Sequence, residues 1–469
     1  MTADICFFSA GELLDSYKRK QLSPVEVIDS ITRQIEGVNP KLNAYCQLCL
    51  NEARSEAKRR EQELMESREV GPLHGVPFSI KDMTAVAGMP TTFGSKAMVN
   101  AIAAEDAPIV DRLKRAGAIL LGKTNLPEFA YKGTTDNLLF GPTRNPWNLT
   151  RIAGGSSGGA AAAVATGMGP LAEGTDGGGS IRIPASCCGV YGLKPSVGRV
   201  PHTLLPNRFL LAAHTGPITR TVADAALMMD VIAGPDDRDP LSLPAANESF
   251  QTALTSGVKN ARIAFSVDLS FAVVHPEIAE ITRNAAHAFT ELGAKVDEVQ
   301  LDCGNPESAM WIMWQSLYST IADLVDIEKW APQMTPQLVQ IIRDGCRLTA
   351  REYLGALGGA SAFYDRLRSV FSTYEFIISP VLACEPFEVG IEGPTAINGK
   401  PCHPIVGWLL TYPFNMTGHP ACSIPCGFTR SGLPVGLQII ARRHQDGALL
   451  RASAAFESAR PWATHRPVL

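Results

Sequence analysis

Two short stretches of this 469-residue chain concentrate glycine and serine. One is Gly154-Gly155-Ser156-Ser157-Gly158-Gly159. The other is Gly174-Thr175-Asp176-Gly177-Gly178-Gly179-Ser180-Ile181-Arg182-Ile183-Pro184. Glycine runs let backbone N–H groups approach a ligand closely, because no Cβ intervenes. Successive N–H groups in such a turn form a nest for an anion. A serine ending the run sits beside that nest. An acyl-transfer nucleophile needs this arrangement, with attacking oxygen and oxyanion donors on one loop. A hydroxyl at neutral pH also needs a base. The nine histidines are dispersed and none lies in either stretch; His74, His214 and His419 come nearest to motif-like text. Lys81 is the other candidate. It ends the apolar run Gly75-Val76-Pro77-Phe78-Ser79-Ile80, so its stem is expected to be buried. Burial disfavours the ammonium and lowers its pKa, and a neutral lysine can take a proton from a serine.

Other chemistries fit less well. Gly154 to Gly158 matches the G-x-S-x-G elbow, but that motif needs an apolar strand before it. Here Asn145-Pro146-Trp147-Asn148-Leu149-Thr150 precedes and reads as a turn. Neither glycine run has the lysine or the strand–helix setting of a phosphate cradle. Cys46-x-x-Cys49 has redox or zinc spacing, but it falls in a predicted helix with no second pair nearby, so packing thiols are expected. Cys187 and Cys188 are expected to pack beneath Ser180. Cys384, Cys402, His403, Cys422 and Cys426 are too irregularly spaced for a metal. Trp311, Trp314 and Tyr318 share one helical face, as core or as an aromatic wall of a substrate funnel. Leu204 to Leu211 is an apolar, loop-like second candidate for that wall.

The elements that must position these residues alternate in type. Ser9 to Glu12 and Ser23 to Glu26 are capping boxes that open amphipathic helices. Asn51 to Glu66 is a solvated helix. Strands are predicted at 75–82, 118–122, 261–265, 295–301, 376–380 and 437–441, and helices at 109–116, 221–233 and 276–292. This alternation indicates an α/β layered unit. No repeat and no long polar linker divides the chain, so a single domain over 1–469 is expected, despite a length that suggests three. Hydrophobic residues are 45% and charged residues 19%, enough for a large core. The net charge of −4 offers nothing to nucleic acid. No apolar run reaches membrane-spanning length, and no signal peptide is visible at the start. Eleven irregularly spaced cysteines suggest reduced thiols and a cytoplasmic setting.

The motif text resembles the amidase signature family. The two Gly/Ser runs carry the resemblance, with Cys188-Gly189-Val190-Tyr191-Gly192-Leu193-Lys194-Pro195, Leu73-His74-Gly75-Val76-Pro77, Lys81-Asp82, Gly122-Lys123-Thr124-Asn125 and Phe140-Gly141-Pro142-Thr143-Arg144-Asn145-Pro146. It covers about Leu22 to Arg238 and resumes from Pro413 to Arg442. The resemblance implies a central mixed β-sheet covered by helices on both faces. Residues 1–70 would form a helical segment, 71–235 the signature core and 236–469 the remainder that shapes the substrate pocket. It implies a Ser–Ser–Lys triad, with Lys81 as base, Ser156 as bridging serine after a cis peptide bond, and Ser180 as nucleophile. Backbone N–H groups of Gly177, Gly178, Gly179 and Ser180 would hold the oxyanion, and Asp176 and Arg182 would orient the loop or touch substrate. No cofactor or metal is implied. The family usually carries a larger residue where this chain has Gly177, which widens the expected substrate range. The implied activity is serine amidohydrolysis of a neutral hydrophobic or aryl amide, with carbamates or esters as further substrates. The protein would act as a monomer or homodimer. The alternative is the glutaminase subunit of a tRNA-dependent amidotransferase. That subunit has an Asp-Gly-Val-Arg-Tyr-Gly-like stretch within the region corresponding to Gly304–Tyr364, where this chain has Trp311-Ile312-Met313-Trp314-Gln315.

Overall fold

The computed structural model describes residues 4–66, 68–205, 207–211 and 213–469. Eleven strands form one mixed sheet. In chain order they are β1 (Tyr45–Leu48), β2 (Pro77–Lys81), β3 (Ile119–Thr124), β4 (Leu171–Thr175), β5 (Tyr191–Lys194), β6 (Thr215–Thr219), β7 (Arg262–Phe265), β8 (Lys295–Glu298), β9 (Phe376–Pro380), β10 (Ala421–Phe428) and β11 (Pro434–Ala441). Their order across the sheet is β1-β3-β2-β4-β6-β5-β10-β11-β9-β7-β8. β2 runs parallel to both β3 and β4, so the ends of β2 and β4 point to the same edge. Open α/β sheets bind ligands at such carboxyl ends.

Side-chain alternation decides what that edge presents. Phe78 and Ile80 of β2 enter a core with the helices Val222–Ile232, Pro276–Glu291 and Asp446–Ala459. Successive residues of a strand face opposite sides, so Ser79 and Lys81 turn to the other face. There the buried helices Gly158–Ala165 and Arg182–Cys188 pack with Pro24–Leu42. A third core gathers Trp314, Tyr318, Phe363 and Trp408 with Ala264, Ile377, Ala421 and Ile440 of the sheet. Both capping boxes form, at Ser9 with Glu12 and at Ser23 with Glu26.

Two local expectations fail. Cys46 lies in strand β1 and Cys49 caps the next helix, so the pair is not helical. Pairing with β3 outweighs the helix-like local composition. Residues 145–150 are not a simple turn but part of a hairpin of Arg144–Asn145 with Asn148–Ile152. Asn145 Oδ1 accepts the Trp147 N–H at 2.8 Å and folds the tip.

Candidate active site

Lys81 ends β2 with its side chain fully buried. Its Nζ donates to Ser156 Oγ at 2.6 Å and to Thr175 Oγ1 at 2.7 Å. Burial pushes Lys81 down from its ordinary value to about 7, although the Glu173 and Asp176 carboxylates oppose the shift. Glu173 lies behind it in β4. Its carboxylate accepts the Lys81 backbone N–H at 2.9 Å, the Thr84 hydroxyl at 2.9 Å and the Thr215 hydroxyl at 2.8 Å. Burial in turn pushes Glu173 up.

Ser156 precedes the helix Gly158–Ala165, and the Gly155–Ser156 bond is cis. A Cβ on Gly155 would lie 2.6 Å from the Thr134 carbonyl oxygen, so only glycine fits. Ser157 fastens this turn to the second one. Its N–H donates to Ser180 O at 3.1 Å, and its Oγ lies 3.3 Å from both the N–H and the carbonyl of Thr175.

The second turn is held from below. Asp176 is fully buried and bonds Arg182 at 2.9 and 3.0 Å, the Ile181 N–H at 3.2 Å and Asn415 at 2.8 Å. Burial alone would raise its carboxyl. The charge and hydrogen bonds of Arg182, helped by Lys194 and Asn415, hold it well below the usual range. Arg182 also donates to Thr411 O, Gln438 Oε1 and Asn415 Oδ1. Its five donors are thereby all engaged within the chain. Gly179 has φ of +134°, and a Cβ there would meet Thr411 Oγ1 at 2.1 Å. Thr411 in turn donates to Gly178 O at 2.6 Å. No acceptor among the described residues takes the N–H groups of Gly177, Gly178, Gly179 or Ser180. These donors are available to an anion.

Ser156 and Ser180 line one cavity of about 320 Å3, with Asp176 and Gly177 at its floor. Lys81 lies beneath it, behind Ser156. The walls are Phe93, Met98, Phe129, Trp314, Tyr318 and Leu324. The helical face foreseen as a wall therefore contributes Trp314 and Tyr318. Trp311 instead packs against His403, with ring centroids 4.4 Å apart and the rings tilted by 54°. From the segment 204–211, Leu204, Leu205 and Arg208 reach this cavity; Pro206 lies outside the described residues.

The histidines have other surroundings. His214 lines the cavity and its Nδ1 lies 3.1 Å from Asp176 O. His419 is buried between Tyr364 and Phe371, and His74 bonds the Arg60 carbonyl. Cys187 and Cys188 are buried, and desolvation pushes both thiols up, as packing residues require. All eleven cysteines are free. Among the described residues no group of three or more His, Cys, Asp or Glu could hold a metal ion. None of their helices is long and apolar enough to cross a membrane.

Sequence reasoning missed Glu173, Thr175, Thr411, Asn415 and Gln438. A glutamate inside the apolar strand Leu171-Ala172-Glu173 was the available signal, since buried carboxylates need partners. Thr175 stands within the second glycine run without a mark of its own, and Thr411, Asn415 and Gln438 reach the site through the tertiary fold.

A mixed sheet flanked by helices, with a buried lysine at a strand end against Ser156 and Thr175, defines an α/β fold with a polar site at its strand ends, and comparison gives it a family. The profile described as Amidase matches residues 26–450, and the chain belongs to the amidase signature family of amide-hydrolysing enzymes. It is 44% identical to an acylamidase of Rhodococcus erythropolis over 467 residues, 98% of this chain and 97% of that one. It is 35% identical to a glutamyl-tRNA(Gln) amidotransferase subunit from Moorella thermoacetica, covering 99% of each. The crystal structure of a bacterial aryl acylamidase of the amidase signature family superposes with a TM-score of 0.94 at 38% identity, covering 98% of this chain and 99% of that one.

Proposed function

We propose that the protein is a cytoplasmic serine amidase that cleaves neutral hydrophobic or aryl amides through an acyl-enzyme on Ser180. The observation that carries this reading is the 2.6 Å contact of Lys81 Nζ with Ser156 Oγ, beneath the cavity that Ser156 shares with Ser180. Neutral Lys81 takes the Ser156 proton as Ser156 takes the Ser180 proton. Ser180 Oγ bonds to the amide carbon, and the carbonyl electron pair moves onto oxygen. The N–H groups of Gly177, Gly178, Gly179 and Ser180 receive that oxyanion; one such donor contributes about 3–4 kcal/mol in the transition state. The intermediate collapses as the C–N bond breaks, and the proton held by Lys81 returns through Ser156 to the leaving amine. Water then attacks the ester by the same relay and releases the acid. Asp176 and Arg182 hold the loop rather than the substrate. The apolar walls support a neutral substrate, and the shared acyl-transfer chemistry extends to carbamates and esters. The eleven free cysteines support a reducing compartment. A monomer or homodimer suffices, because every group named lies in one chain.

Intact-mass analysis after fluorophosphonate treatment tests this reading. A single adduct on wild type and none on Ser180→Ala is expected. An adduct retained by Ser180→Ala but lost from Ser156→Ala would move the nucleophile to Ser156. No adduct on wild type, with glutaminase activity appearing only beside partner subunits, would favour the amidotransferase alternative.

A further inference from the structure

A second cavity of about 330 Å3 adjoins the first at Gly177. Met310, Met313, Leu357, Leu210 and Met416 make much of its lining. Gly177, Trp314, Leu317 and Thr320 line both cavities and so stand between them. The Trp314 indole is fixed there. Its Nε1 donates to Tyr131 O at 3.1 Å, and its ring packs on Tyr318 with centroids 4.9 Å apart. A Cβ on Gly177 would lie 3.4 Å from Trp314 Cζ3, already in van der Waals contact. Any side chain larger than alanine would therefore have to displace the indole or block the gap.

We infer that Gly177 and Trp314 form the sill between two substrate chambers, and that the second chamber is a separate subsite for an apolar arm of the amide. The inference rests on the amidase reading above and extends it to the length of the substrate. Each chamber alone is at the small end of the range for ligand sites, about 300–1,000 Å3. Together they accommodate an extended amide that passes over the oxyanion loop, with its reacting carbonyl beside Ser180. The lining of the second chamber offers methionine and leucine rather than charge. An alkyl or aryl arm gains there by leaving water, by about three- to fourfold in binding per added methylene.

Met313 and Leu357 line only the second chamber, so they can be enlarged without touching the first. The test is kcat/KM of wild type, Met313→Trp and Leu357→Trp on two anilide series. One series lengthens the acyl chain from acetyl to decanoyl; the other keeps acetyl and extends the aniline with a para-alkyl chain. Unfolding temperature of each variant is read alongside. In wild type, kcat/KM should rise with length in one series, which identifies the arm that the second chamber holds. Each tryptophan variant should abolish that rise, costing tenfold or more on the longest member, with acetanilide changed less than twofold. Equal losses on short and long members, or no loss on either, would overturn the subsite. A wild type that turns over short anilides with no gain from length in either series would also overturn it and leave the amidase reading standing. A wild type inert to every anilide and to fluorophosphonate would overturn the amidase reading itself.

Discussion

Lys81 is the residue on which the proposed chemistry turns, because only its neutral form accepts a proton. Burial lowers its pKa to about 7. The neutral fraction therefore grows as pH rises, and activity should rise with it. We expect kcat/KM to climb about tenfold per pH unit below about pH 7 and to level above it. A pH–rate profile checks the direction; a rate that falls through this window would exclude lysine as base. Lys81→Met keeps the length of the side chain and removes the nitrogen. It should lower kcat by about 10^2–10^4, as measured on an anilide with the variant shown folded by circular dichroism. Much of this site was legible in the residues themselves. Lys81, Ser156 and Ser180 stood in recognisable text, and their spacing within it carried the inference. Thr411, Asn415 and Gln438 were not legible as site residues: Asn415 and Gln438 lie within the resembling stretch Pro413 to Arg442 and Thr411 just before it, but no local pattern shows that they turn to Arg182. They matter through Arg182, whose donors they share with Asp176.

At the scale of elements, legibility followed composition. The apolar segments β2, β3, β7 and β9 were readable from the sequence. β4, β5 and β6 went unread, although they are central. Their text is rich in glycine and proline, as in Thr215-Gly216-Pro217, which propensity assigns to turns. Tertiary demand overrides that preference, since Gly192 of β5 leaves no room for a Cβ beside Ala185 of the helix Arg182–Cys188. The same logic governs the oxyanion loop. Gly179→Ala would drive its Cβ into Thr411 Oγ1, from a positive φ that an L side chain adopts at a cost. The loop should shift and misplace at least one donor. We expect kcat to fall by about 10^2–10^3 while KM changes little, as steady-state kinetics would read. Near wild-type kcat would remove this loop from the oxyanion site.

For the whole molecule, one continuous sheet carries the site, and eleven thiols contribute no covalent link. Thermal unfolding should therefore give the same midpoint with and without dithiothreitol. A midpoint lowered by several degrees under reduction would reveal a bond absent from this fold. The sheet also joins parts of the chain that are far apart. Arg182 reaches its partners Thr411, Asn415 and Gln438 across 229 to 256 residues. During synthesis, the lysine and both serines leave the ribosome long before those partners exist. At about 5–20 residues per second, the interval is roughly 10–50 s. Throughout it the growing polypeptide holds its reactive groups without the anchor that sets their loop. On the proposed mechanism, the delay acts as a timer, because the loop that carries Ser180 is anchored only once the chain has been made as far as β11.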